Sequence, residues 1–442
     1  MERTTAKVWC GGTNFSDLPL YLFNGESASL EWRLGTLADA SDERRERSDD
    51  LSGRVFSEYP RELGWCRRMR LHPRHKDACV RTLETQDGRL VGQIYVIDRD
   101  IRVDSAILRM GGIAAVGVDP AFRKRGLASL LMEDALRFMV NDGYDLSLLF
   151  SIPVDFYTRF GYRTVLPEYH TTVSGLSLLH RLRRQKSVLA SRAVSPADWP
   201  LLRPLYELTY RETPGSCVRD DAHWQWLFHQ GDVKGIMAVE QESVRGYALY
   251  RFGGDQLIVH EVASEPTPLV HDTLLRSLAR VALSAGVTTI RFDLPPDQPF
   301  ARLCLLDHEA VQTTSVPWKT GGMARLLRLP STLMALAPVL SQRLRESRCK
   351  EANQQVIVET DIGGFRLRVA YGVVGFDFLP DDHDLAPDVV LPQDVLIGLI
   401  FGLYTPSHLW ELWGRPIEPD VAALLAELFP MRMPQVPWQD HF

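Results

Sequence analysis

From Ala78 onward the apolar positions fall in short alternating runs separated by turn residues. "ACVRTLET" and "LVGQIYVID" flank Asp87-Gly88, a pattern that predicts a β-hairpin. After Asp104-Ser105, "AILRMGGIAAVGV" predicts a further strand. The period then lengthens. In "RKRGLASLLMEDALRFMVNDG", leucines 127, 130, 131 and 136 recur at helical spacing with Phe138 and Met139, and Gly143 stands where a helix C-cap is expected. "LSLLFS" reads as a buried strand, and "FYTRFGYRTV" as a short helix running into another strand. Antiparallel strands followed by helix, strand, helix and strand predict a mixed α/β domain.

The same order returns in weaker form. "SRAVSPADWPLLRPLYELTYRE" predicts a strand and a Pro-started helix. "GIMAVEQ", "GYALYRF" and "LIVHEVAS" follow as strands, "DTLLRSLARVALSAG" as a helix and "TTIRFDL" as a strand. This is a degenerate internal duplication. A third region begins near Pro330, with strands in "QVIVETDIGGFRLRVAYG" and "VVGFDFL" and helices in "PQDVLIGLIFGL", "PSHLWELWG" and "DVAALLAELF". Upstream, "EWRLGTL" reads as a strand. The charge-dense "DASDERRERSDDLSGRVF" reads as a solvated helix face without a binding role. Residues 1–30 read as an extension with little regular structure.

Bulk properties narrow the function classes. A chain of 442 residues is too long for one core. A net charge of -6 gives no electrostatic footprint for nucleic acid. The six cysteines are scattered without a CxxC pair, which argues against structural zinc and against a disulfide framework. The start "MERTTAKVW" has no apolar signal core, and no apolar run reaches about 18 residues. A cytoplasmic protein without metal or membrane contact is expected. His170, His260, His271 and His308 show no metal-ligand spacing and are expected to be structural or on the surface.

One stretch carries chemistry. In "VGVDPAFRKRGLASLL" a strand (Val116, Gly117, Val118) stops at Pro120, and the basic turn Arg123-Lys124-Arg125-Gly126 opens directly into a helix through Leu127, Ala128 and Ser129. Free N–H groups and the dipole at a helix N-terminus make an anion site. Three flanking cations and small residues at 126 and 128 suit a pyrophosphate. Neither GxxxxGK[ST] nor GxGxxG is present.

Arg123-x-x-Gly126-x-Ala128 after a V-x-V strand resembles the acetyl-CoA loop of the GNAT N-acetyltransferases. That resemblance implies that the pantetheine arm lies between two splayed strands against Val116, Gly117 and Val118, with lower weight on Ile152 and Pro153. It also implies that Tyr157 in "FYTRFGY" protonates the departing thiolate, while Tyr162 packs. Over residues 31–442 the chain resembles the Eis (enhanced intracellular survival) family. The fold this implies is tandem GNAT domains, catalytic at 31–190 and degenerate at 191–329, followed by a sterol carrier protein-like α+β domain at 330–442. "EPTPLVHDTLLRSLA" stands where the second loop would be, so the second domain is expected not to bind CoA. In that family the chain ends in phenylalanine, and its α-carboxylate is the general base. Phe442, closing "VPWQDHF", matches. Family members that modify aminoglycosides carry an acidic residue just before that phenylalanine; here the position is His441, with Asp440 preceding it, which speaks against a polycationic drug substrate. The expected reaction is acetyl transfer to a primary amine of a small molecule or a lysine, by a homo-oligomer that is hexameric in the family. The apolar run "VLIGLIFGLY" leaves one alternative, a non-catalytic CoA- or lipid-binding carrier or sensor.

Overall fold

The computed structural model describes residues 32–38, 40–56, 66–150, 154–183, 189–229, 233–306, 310–316, 321–408 and 417–442. The expected N-terminal extension lies outside them, as do Cys10, His308 and most of "PSHLWELWG". The described cysteines are free thiols, four of them buried. No helix among the described residues is long and apolar enough to cross a membrane.

The first sheet is built from β1 (Trp32–Thr36), β2 (Val80–Thr85), β3 (Leu90–Val103), β4 (Ala106–Val118), β5 (Leu146–Phe150) and β6 (Arg163–Leu166). The β2–β3 hairpin turns at Asp87-Gly88, where Gly88 takes φ 81° and donates its N–H to Thr85 O. β3 is buried at all but one position, so it is covered on both faces rather than solvated on one. Helix Asp42–Val55 starts at a Ser41 cap and turns Ser48, Leu51 and Ser52 inward against the sheet; its charged face is solvated, as the sequence predicts. Helix Leu127–Asn141 buries Leu127, Leu131, Met132, Ala135 and Met139 on the same sheet.

The second sheet contains β7 (Glu168–Ser174), β8 (Ala190–Ala193), β9 (Lys234–Glu240), β10 (Ser243–Gly253), β11 (Gln256–Ser264), β12 (Thr289–Phe292) and β13 (Val311–Ser315), in the order β13-β7-β12-β11-β10-β9-β8. Two strands cross between the halves. β14 (Gly322–Leu326), which follows the second half in sequence, inserts between β5 and β6 of the first sheet, from Gly322↔Phe150 to Leu326↔Leu146. β7, which leaves the first half, inserts between β12 and β13 of the second. Met323, Ala324 and Leu326 are fully buried, so the exchange sits in a core and not on an edge.

The third sheet holds β15 (Gln354–Thr360), β16 (Gly363–Ala370), β17 (Val373–Phe378) and β18 (Val389–Val390), ordered β17-β16-β15-β18. Helix Leu329–Glu346 lies on it. Leu336, Leu340 and Leu344 join Val356 and Phe365 in one core that continues to Ile101, Leu108 and Leu146 of the first sheet.

From Phe429 the chain runs back across both halves. Gln435 N–H donates to Pro214 O at 2.9 Å, and its side chain donates to Asp293 O at 2.8 Å. A short 3-10 turn, Trp438–Asp440, then delivers Asp440 to Arg219. Arg219 donates to both carboxylates of a buried pair, at 2.8 Å to Asp440 and 2.7 Å to Glu261, and all three side chains are fully buried. Burial pushes the Asp440 carboxyl up, but Arg219 and His223 outweigh it and hold the group well below the usual carboxylate range. Arg219→Met leaves two buried carboxylates without their cation. It is expected to cost about 3–5 kcal/mol in denaturant unfolding; an unchanged midpoint would show that the tail is held elsewhere.

Candidate functional site

The site begins with a backbone irregularity. Between Tyr95↔Ala114 and Gln93↔Gly117 the β3–β4 ladder slips by one residue, a β-bulge that puts Ala115 at φ 48°. An alanine in the left-handed region carries strain, held there by the buried ladders on either side. The bulge coincides with a fork. β4 pairs in parallel with β5 only as far as Ile113↔Leu149 and then runs on to Val118 against β3 alone. Val116, Gly117 and Val118 therefore present a strand edge that β5 no longer covers.

Directly beyond lies the basic turn. Asp119 accepts from Ala121 N–H at 3.0 Å and pairs with Arg89 and Arg54, which fixes the exit from β4. Lys124 and Gly126 both adopt positive φ, 64° and 77°. A Cβ at Gly126 would touch no other protein atom, and the backbone angle by itself calls for glycine there. Gly126 is the N-cap of helix Leu127–Asn141, and no side chain caps that end. The matching helix of the second half, Pro268–Ser284, is closed by Thr267, whose hydroxyl accepts from Val270 N–H, and no cation stands in the turn before it. Arg123, Lys124 and Arg125 are exposed; Arg123 Nε donates to Val118 O at 3.2 Å, and Arg125 lies 5.5 Å from the Phe122 ring centre. Leu127 is a core residue, so only its backbone is available to a ligand, while Ala128 and Ser129 are half-buried.

A cavity of ≈ 900 Å³ opens at the fork. β4 contributes Ile113 to Val116, the helix Val154–Thr158 contributes Tyr157, the second half contributes Trp226 and Tyr250, and the tail contributes His441 and Phe442. The two competing tyrosines separate here. Tyr162 is buried, donates to Ser147 Oγ at 2.7 Å, and Ser147 donates on to Gly111 O. Burial pushes its hydroxyl above the ordinary tyrosine range, and it is a packing residue. Tyr157, its ring 6.3 Å away, reaches the cavity. Ile152 and Pro153 lie outside the described residues.

Phe442 sits on the fork. A Cβ added at Gly112 would come within 2.5 Å of its ring, and Phe150 meets it edge-on at 5.4 Å. His441 stacks on Phe150 at 4.0 Å, with Nε2 3.0 Å from Val436 O. That carbonyl accepts only, so Nε2 carries the proton. The residue opens onto the cavity, and the protein packed around its ring holds its pKa below the usual histidine range.

Sequence reasoning missed the far wall. His170 was expected to be structural or on the surface, but it lines the cavity, with Nδ1 2.8 Å from Asp293 Oδ1 and Nε2 3.4 Å from Glu168 Oε2. These two carboxylates outweigh its burial and raise it to about 9. His260 also lines the cavity and is lowered to about 3 by burial first and Arg251 second, so it is neutral. The alternation in "EYHTTVS" was the available signal for β7, since it places His170 and Glu168 on one face. Among the described residues no group of three or more His, Cys, Asp or Glu could hold a metal.

Two segments match family models. Residues 38–165 match an acetyltransferase (GNAT) domain, and residues 215–329 match a second model of the same description. The chain carries tandem GNAT acetyltransferase domains, and GNAT domains use acetyl-CoA. Comparison with curated proteins returned no match. Three solved structures share the fold over nearly the whole chain. A GCN5-related N-acetyltransferase from Kribbella flavida is 20% identical over 94% of this chain and all of its own, with TM-score 0.71. One from Anabaena variabilis is 17% identical over 93% and 100%, at 0.72. Eis1 from Mycobacterium abscessus is 17% identical over 93% and 100%, at 0.65.

Two outcomes follow from this geometry. Gly112→Ala drives a methyl group into the Phe442 ring, so amide exchange at residues 436–442 is expected to speed up by about tenfold or more while the rest of β4 stays protected; unchanged exchange would mean the ring does not rest there. His170 has a raised pKa in the folded protein. Its stabilisation is therefore complete below about pH 6.5 and is lost as pH rises through about 9. The denaturant midpoint of the native chain should fall across that window, and that of His170→Gln should fall less.

Proposed function

We propose that this GNAT acetyltransferase moves the acetyl group of acetyl-CoA onto a primary amine by direct attack, with Tyr157 as general acid and the Phe442 α-carboxylate as general base. The observation that carries the reading is that Tyr157 and Phe442 line one cavity at the point where β4 leaves β5. In this reading the pyrophosphate of CoA is held by the Arg123–Ser129 turn through backbone N–H groups and the flanking cations. The pantetheine amides pair with the open edge at Val116, Gly117 and Val118. An N–H of that edge polarises the thioester carbonyl in the manner of an oxyanion hole.

The reaction balances on these groups. The amine arrives mostly protonated and gives a proton to the carboxylate, directly or through water. Its lone pair forms the N–C bond, the C–S bond breaks, the thiolate takes the Tyr157 proton, and the second proton of the nitrogen passes through water to the Tyr157 phenolate, which restores the acid. An α-carboxyl has an ordinary pKa of about 3.3–3.7 and is a weak base. Its larger contribution is to draw the ammonium in and hold it in line with the carbonyl.

The likeness in fold to Eis1 supports placing the chain with the Eis-like enzymes, with a catalytic first domain, a degenerate second one and a sterol carrier-like third region. The capped second helix supports a single CoA site.

The test is a chain extended by two residues after Phe442. It is expected to lose thiol release from acetyl-CoA by about 100-fold or more while binding acetyl-CoA normally, and Tyr157→Phe is expected to lose about as much in kcat. Equal turnover of native and extended chains would remove Phe442 as base and move that role to Glu168 or Asp155.

A further inference from the structure

We infer that the acceptor is a monocationic primary amine with an aromatic body, and that His170 is the residue that disfavours polyamines. This rests on the proposed reaction and names its second substrate.

The charges of the cavity carry the argument. Among the described residues, His170 and Arg291 line it beside the carboxylates of Glu168 and Asp293. Both carboxylates are already engaged. Asp293 accepts from His170 at 2.8 Å and from Arg291 Nε at 2.8 Å, and Glu168 faces the other nitrogen of His170 at 3.4 Å. The imidazolium thus stands between two carboxylates, in the place a second ammonium of a substrate would need. His441 and His260 add no negative charge. One ammonium finds its counter-charge at Phe442, and a second finds, among the described residues, only carboxylates that already face His170. Like charge in a partly enclosed site is a repulsive element, and it discriminates by about tenfold or more for each extra cation.

The walls set the rest of the substrate. Phe150, Tyr169, Trp226, Tyr250 and Trp438 face the cavity, and Arg251 lies 5.1 Å from the Trp438 ring centre. Aromatic walls reward a flat apolar body by burial and edge-to-face contact. A flexible, multiply charged chain gains neither.

The experiment compares kcat/KM for tryptamine, phenethylamine, hexylamine, spermidine and kanamycin on the full chain, followed by thiol release from acetyl-CoA, with acetyl-CoA binding measured separately by calorimetry. The expected result is that both aromatic monoamines exceed spermidine and kanamycin by about tenfold or more, with hexylamine below them. Polycations that match or exceed the monoamines overturn the inference and leave the acetyltransferase reading standing. Hexylamine equal to tryptamine overturns the aromatic part. Bound acetyl-CoA with no turnover on any amine overturns both readings. His170→Gln should raise the spermidine-to-tryptamine ratio by about fivefold or more, and His170→Lys, which keeps the charge, should hold it near that of the native chain. A ratio unchanged in His170→Gln overturns the role given to His170. Because the ratio is taken within each variant, partial loss of folded protein does not move it.

Discussion

The arrangement of the site depends on one buried cation. Arg219 comes from a loop of the second half, Asp440 from the chain's last residues, and Glu261 from the centre of β11. The guanidinium also lies 4.1 Å from the Tyr206 ring centre and 4.8 Å from that of Trp224. Placing three charges where no water reaches is expensive, and the arrangement holds only while all three are present. That condition locates the tail. With Asp440 fixed, two residues remain, enough to stack His441 on Phe150 and to set Phe442 over Gly112. A tail held only by apolar contacts could slide along the cavity; a carboxylate clamped from two sides cannot.

The strand exchange does for the sheets what Arg219 does for the tail. β14 closes the first sheet and β7 closes the second, so each half is completed by a segment that belongs, by sequence, next to the other. A single residue, Pro167, separates β6 of the first sheet from β7 of the second, so the ends of the two sheets meet at the cavity. This matters for the proposed chemistry, which asks Tyr157 on one side and the tail on the other to hold an amine in line. The second half, whose own helix end is capped by Thr267, supplies Tyr250 and Arg251 of β10 and Asp293, just past β12, to the wall.

What was legible in the sequence was local. The Asp87-Gly88 hairpin and the helix after Gly126 depend on residues within a few positions of one another, and periodicity and turn chemistry report on such neighbours. The exchanged strands were not legible. "EYHTTVS" and "GMARL" alternate well enough to be strands, but alternation names a face and never a partner, and Gly322 finds Phe150 from 172 positions away. Arg219 and His170 were hidden for the same reason. A lone arginine or histidine in a sequence reads as surface until the fold brings carboxylates from elsewhere around it. At Gly126 the structure adds a requirement that spacing does not show, a backbone angle of φ 77°.

His441, the residue before the terminal phenylalanine, has a physical meaning in this setting. An acid at that position would add a negative charge beside Phe442 and favour ligands with several ammonium groups. The histidine instead has its proton committed to Val436 O and its ring committed to Phe150, and its surroundings keep it neutral. It contributes a flat apolar face where the acid would contribute a charge. In the proposed reaction the terminal carboxylate is the counter-charge for the ammonium, and a weak base suffices because placement has a larger effect on rate than added basicity.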